Sequence, residues 1–167
     1  MTGARPSGIV TGPMALYLVR HAKAGQRGRW DGPDHLRPLT KAGRAQAEAL
    51  AAWLANEPIS RLLSSPYVRC VQTLEPLAEK LTLEVEITEH LTEAIHFGPA
   101  LDLLTVLPDH SVLCSHGDLI PDIMEALARQ GTVIDGPADW RKGSTWVLQC
   151  EDGEVIRAHA VPPPDAG

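Results

Sequence analysis

The sequence predicts an α/β protein, a three-layer α/β/α sandwich built on a mostly parallel central sheet. Three observations carry this. Short apolar runs rich in Val, Leu and Ile alternate with longer stretches of helical periodicity. Two of the runs, Met14–Val19 and Ser111–Cys114, are apolar almost throughout, as strands covered on both faces are. Each stops abruptly, at Arg20-His21 and at Ser115-His116-Gly117-Asp118, where open α/β sheets place their ligand chemistry.

Taken in order, residues 1–13 read as a flexible lead-in, 14–160 as a single domain and 161–167, with three consecutive prolines, as a loose tail. Strand one covers Met14 to Val19. Gly25 to Pro38, rich in Gly, Pro, Arg and Asp, is a long loop, of the size that is usually functional. Thr40 is placed to cap a helix reaching about Asn56, because Ala45, Ala49, Leu50, Trp53 and Leu54 recur at helical spacing. Pro58 closes it.

Ile59 to Leu63 is a second strand. A helix then opens at Ser65-Pro66, with serine as cap and proline in the first turn, and carries Arg69 and Thr73 on to Leu81. Leu83 to Ile87 alternates apolar and acidic residues as a third strand. His90 to Pro99 is irregular, and a helix spans about Ala100 to Leu107. Ser111 to Cys114 is the fourth strand, followed by a helix to about Gln130. Ser144–Cys150 and Val155–Ala160 flank Glu151-Asp152-Gly153 as a closing hairpin.

Composition narrows the function. The net charge of -6 argues against binding nucleic acid polymers through bulk electrostatics, while leaving room for a local basic pocket that selects small anions. Cys70, Cys114 and Cys150 are too scattered for a metal site and read as reduced thiols. The start is too polar and too interrupted by Gly and Pro for a signal peptide, and no run approaches the ~20 apolar residues that a membrane helix needs. A soluble, cytoplasmic protein without a membrane partner is expected.

Parallel strands share one carboxyl edge, so Arg20, His21, Arg69 and His116 are expected to converge in a single crevice there. Helix N-termini after Ser65 and Gly117 add positive dipole ends. Two guanidinium forks and two imidazoles around one crevice describe a pocket for phosphate.

The motifs extend further. Leu-Val-Arg20-His21-Ala, Leu39-Thr40-Lys-Ala-Gly43-Arg44-Ala-Gln46-Ala, Ser64-Ser65-Pro66-Tyr-Val-Arg69-Cys-Val-Gln72-Thr73, Leu91-Thr92-Glu93 and Ser115-His116-Gly117-Asp118 follow one another over residues 14–120. In this order they resemble the histidine phosphatase superfamily, the phosphoglycerate mutase-like group, in its small SixA-like branch. The Arg-His-Ala form, the Trp30-Asp-Gly-Pro-Asp stretch and Ser-His-Gly-Asp are also similar to histidine phosphatase domains fused to Nudix hydrolases.

The resemblance implies a phosphoglycerate mutase-like fold and a metal-independent phosphatase. His21 is then the nucleophile, forming a phosphohistidine, with its attacking nitrogen neutral. Arg20, Arg69 and His116 bind the phosphoryl oxygens, and His116 also counts among the catalytic residues. Glu93 matches the family's proton donor, with Glu89 nearby as the rival. Neither metal nor cofactor is implied. Lys23, Arg27 and Arg29 read as solvated loop charges, Trp140-Arg141-Lys142-Gly143 as a candidate pocket rim, and Cys70 as a small buried thiol.

The substrate is a small phosphomonoester or a phosphohistidine protein. A mutase is the first alternative, disfavoured because the short interval from Arg69 to His116 leaves no room for a large lid. A non-catalytic phosphate-binding module is the second, and the presence of both His21 and an acid argues against it.

Overall fold

A computed structural model describes residues 14–164. Its seven strands form one sheet. They are β1 (Met14–Arg20), β2 (Arg61–Ser64), β3 (Val85–Ile87), β4 (Ser111–Ser115), β5 (Val133–Asp135), β6 (Thr145–Glu151) and β7 (Glu154–Val161), in the order β3-β2-β4-β1-β6-β7-β5. β3, β2, β4 and β1 run parallel, β6 and β7 add an antiparallel hairpin, and β5 lies parallel to β7 at the far edge.

Four helices cover the sheet: α1 (Lys41–Leu54), α2 (Val68–Leu81), α3 (Gly98–Val106) and α4 (Leu119–Arg129). Strand β1 shows why both faces are needed. Leu16 and Leu18 point into a core with α3 and α4, through Leu104, Ile123 and Leu127. Tyr17 and Val19 point into the opposite core with α1 and α2, through Leu50, Leu54, Leu74 and Leu77. A strand buried on both faces has no polar alternation to display, which explains its apolar run. The expected three-layer sandwich is therefore present.

Several boundaries differ. The second helix starts at Val68, not at Ser65-Pro66, and Tyr67 stands at its cap without a side-chain bond. The Ser65 hydroxyl still accepts from Tyr67 N at 3.2 Å just ahead of the helix, and it has a second partner described below. Thr40 does cap α1, its Oγ1 accepting from Gly43 N at 3.0 Å. Strand β5 was not foreseen; its Val133 and Ile134 are exposed, so this edge strand lacks the burial pattern that reveals strands. Val161, assigned to the tail, ends β7. The proposed lead-in, and the tail beyond residue 164, lie outside the described residues. The Gly25–Pro38 loop contains two short 3-10 turns, Arg27–Arg29 and Asp34–Leu36. No helix among the described residues is long and apolar enough to cross a membrane.

Candidate active site

The carboxyl edge of β1, β2 and β4 opens into a cleft of about 560 Å³ that includes Arg20, His21, Arg69, Glu93 and His116. All five expected site residues meet there.

His21 follows β1 and is buried. Its backbone N donates to Ser115 O, tying the end of β1 to that of β4. The next residue is fixed from α2, because Thr73 Oγ1 accepts from Ala22 N at 2.9 Å and donates to Arg69 O at 2.7 Å. The His21 Nδ1 lies 2.8 Å from Ala22 O, so Nδ1 carries the proton and Nε2 keeps its lone pair. Burial lowers the imidazole pKa to about 3; the Ala22 bond opposes this, and His116, Arg69 and Arg20 add to it. The ring is neutral at physiological pH.

His116 lies across the cleft, its ring centroid 5.5 Å from that of His21. Ser65 Oγ sits 2.8 Å from its Nε2, and Cys70 Sγ 3.6 Å from the same atom. Its Nδ1 is 3.6 Å from Glu93 Oε1. Ser65 Oγ also accepts from Tyr67 N at 3.2 Å, so the serine expected near the helix start links that start to this ring. Cys70 is the buried thiol that was expected, seated directly beneath His116.

Arg69 is 1% exposed, and its guanidinium donates to Asp34 O, to Asp34 Oδ2 and to Glu93 Oε1. Its Nε is buried without a partner among the described residues, as is that of Arg20. Arg20 donates from Nη1 to Trp140 O at 2.6 Å and packs on Gly117, where a Cβ would come within 2.5 Å of the Arg20 Cζ.

Glu93 reaches the cleft while Glu89 is exposed on a short 3-10 turn outside it. Two bonds set this segment: Ser115 Oγ donates to Leu91 O, and Ala94 N, on a residue with φ +62°, donates to Asp118 Oδ2 at 2.7 Å. The carboxylate is shared between Arg69 and Arg27, so Arg27, exposed as a solvated loop charge, also carries an ion pair to the site.

Sequence reasoning missed two residues, Asp34 and Arg37. Asp34 is a hub for Arg27, Arg37 and Arg69. Burial would raise its pKa, yet hydrogen bonds from Arg37 and Arg69 hold the carboxyl below its usual range. Arg37, buried, bonds Asp34 Oδ1 at 3.0 Å and lines the cleft. Lys142, from the stretch expected at the rim, lines the cleft too. Burial lowers its pKa, followed by the fields of Arg20, Arg37, Arg69 and Lys23. Among the described residues, no three His, Cys, Asp or Glu side chains gather as a metal site.

This cleft concentrates positive charge around one neutral imidazole nitrogen, an arrangement suited to binding a phosphoryl group and attacking it. The chain is similar to proteins named as phosphatases. The chain is similar to the 8-oxo-(d)GTP phosphatase of Mycolicibacterium smegmatis, 41% identical over 156 residues, covering 90% of this chain and 48% of that protein. It thus spans about half the length of that relative. It is 30% identical over 129 residues to the phosphohistidine phosphatase SixA homolog of Haemophilus influenzae, covering 68% of this chain and 77% of that one. Among solved structures, the protein histidine phosphatase SixA complexed with tungstate matches with a TM-score of 0.69 and 25% identity, over 92% of this chain and 97% of that one. The family model of the histidine phosphatase superfamily (branch 1) matches residues 16–107, and the chain belongs to this family.

Proposed function

We propose that this protein is a phosphohydrolase that works through a phosphohistidine on His21 and needs no metal. The observation that carries the reading is the His21 ring, neutral, with Nδ1–H held by Ala22 O and Nε2 free inside a cationic cleft.

In the first step Nε2 attacks phosphorus as the bond from phosphorus to the leaving oxygen breaks. The ring takes on positive charge, which the Ala22 carbonyl stabilises at Nδ1–H. Arg20, Arg69 and His116 hold the three non-bridging oxygens, whose charge shifts during transfer. The incoming phosphomonoester monoanion replaces Glu93 on Arg69, and the displaced carboxylate takes up the substrate's own proton and delivers it to the leaving oxygen. In the second step Glu93 takes a proton from water, whose oxygen attacks phosphorus. The P–N bond breaks and orthophosphate leaves with His21 neutral again.

A small phosphorylated substrate is the favoured class, supported by the likeness to a nucleotide phosphatase over nine-tenths of the chain. A protein-borne phosphohistidine is the second reading. It is favoured by the SixA relatives and by the short interval between Arg69 and His116, which builds no large lid. A mutase needs such a closure to retain the phosphoenzyme. The deciding test is hydrolysis of an aryl phosphate with EDTA present, compared between wild type and His21→Ala. Turnover that vanishes in the variant supports the mechanism, and turnover that survives overturns His21 as nucleophile.

A further inference from the structure

Arg20 and Lys142 do not line the phosphate cleft alone. They also line a second, larger groove of about 1140 Å³, to which Lys23, Lys41 and Arg141 contribute. The two cavities therefore share a wall made of two cations. Across the groove, Lys23 follows His21 on the loop after β1, Lys41 opens α1, and Arg141 precedes Lys142 ahead of β6.

Among the described residues, no Asp or Glu lines this groove. Among the described residues Arg141 has a carboxylate partner, Asp139, whereas Arg20, Lys23, Lys41 and Lys142 have no ion-pair partner. In a chain of net charge -6, where most other arginines of this region are paired, such a collection of unpaired cations is costly to assemble and attracts anions strongly. The Nε of Arg20 is buried and has no hydrogen-bond partner among the described residues. The groove backbone is firmly placed: Gln46 Oε1 accepts from Lys23 N at 2.9 Å, and its Nε2 donates to Lys142 O at 3.3 Å. One glutamine of α1 thus fixes both segments that carry the cations.

We infer that this groove is a second anion subsite, which takes a further phosphate of a substrate whose reacting phosphoryl group sits against His21. The chemical class is a phosphate chain, as in a nucleoside di- or triphosphate, rather than an isolated monoester. This rests on the reading of the cleft as the reacting site. Lys142 and Arg20 contact both phosphates, while Lys23 and Lys41 contact the further one alone.

The test is calorimetric binding of orthophosphate and tripolyphosphate with EDTA present, at a salt concentration of ~150 mM so that diffuse attraction is screened. Wild type is expected to bind tripolyphosphate at least about tenfold more tightly than orthophosphate. In the double variant Lys23→Gln/Lys41→Gln that ratio falls to within about twofold, since both side chains are exposed and their loss leaves the core intact. Lys80→Gln, which removes a charge on α2 away from the groove, keeps the wild-type ratio. A wild-type ratio near one, a ratio unchanged in the double variant, or an equal fall in Lys80→Gln overturns the subsite. Aryl phosphate hydrolysis by the same wild-type preparation separates the two proposals. Tight tripolyphosphate binding without turnover retains the groove and rejects the phosphohydrolase.

Discussion

The Nδ1 of His21 stands 2.8 Å from the carbonyl oxygen of Ala22, and a carbonyl oxygen can only accept. This bond fixes the tautomer, and burial together with His116, Arg69 and Arg20 keeps the ring unprotonated down to about pH 3. The unfolded chain binds a proton here below its ordinary value near 6.5, so stability rises with pH between about 3 and 6.5 and is flat above. Wild type should therefore lose a few kcal/mol on acidification through that window that His21→Gln does not lose. Urea titrations of both proteins at pH 7 and pH 4.5 measure this, and parallel losses would show that His21 protonates freely when folded.

Arg69 and Glu93 share a charged hydrogen bond inside the cleft. If Glu93 carries the proton to the leaving oxygen, its importance depends on how badly that oxygen needs one. Glu93→Gln should slow alkyl phosphates by about 10²–10³-fold and nitrophenyl phosphate far less. A series of leaving groups measured at saturating substrate gives the slope. Equal loss across the series would assign Glu93 to holding Arg69 instead.

The strand-end logic located Arg20, His21, Arg69 and His116 because those residues follow local patterns that sequence displays directly. Glu93 was placed by motif order, and the structure separates it from Glu89 through contacts with Asp118 and Ser115 that no local pattern records. Asp34 and Arg37 stayed hidden because a Gly- and Pro-rich loop has no periodicity to read. The contact of Arg20 with Trp140 spans 120 positions and exists because β6 pairs with β1, so neither segment advertises the other. Ser65 was visible, but a serine before a helix signals a cap far more often than a support for histidine.

Gly43 and Gly117 both lack room for a methyl group, with different consequences. A Cβ at Gly43 would stand 1.9 Å from Lys23 O, a backbone atom held by Thr40. Gly43→Ala should destabilise the fold by about 2 kcal/mol or more, read as a lowered denaturant midpoint. At Gly117 the obstacle is the Arg20 guanidinium, which can move. Gly117→Ala should keep a near-wild-type midpoint while kcat/KM for aryl phosphate falls about 10–100-fold, because a displaced guanidinium no longer meets the phosphoryl oxygens. A Gly117→Ala enzyme with full activity would remove Arg20 from the oxygen-binding set.

Asp34 holds Arg69 with both its backbone oxygen and its carboxylate, and binds Arg27 and Arg37 as well. An arriving phosphate competes with this carboxylate for the same guanidinium, and it also meets a negative charge that the three arginines partly neutralise. Asp34→Asn keeps a side-chain oxygen for hydrogen bonding and removes the charge. The variant should lose some stability, since Arg37 and the buried Arg69 then lack part of their compensation. It should nevertheless bind phosphate better, and the inhibition constant for orthophosphate in the aryl phosphate assay should fall about 3–10-fold. That pairing of lower stability with tighter anion binding is the signature of a competing internal ligand. If the inhibition constant instead rises along with the loss of stability, the carboxylate's role is to hold Arg69 in its binding position.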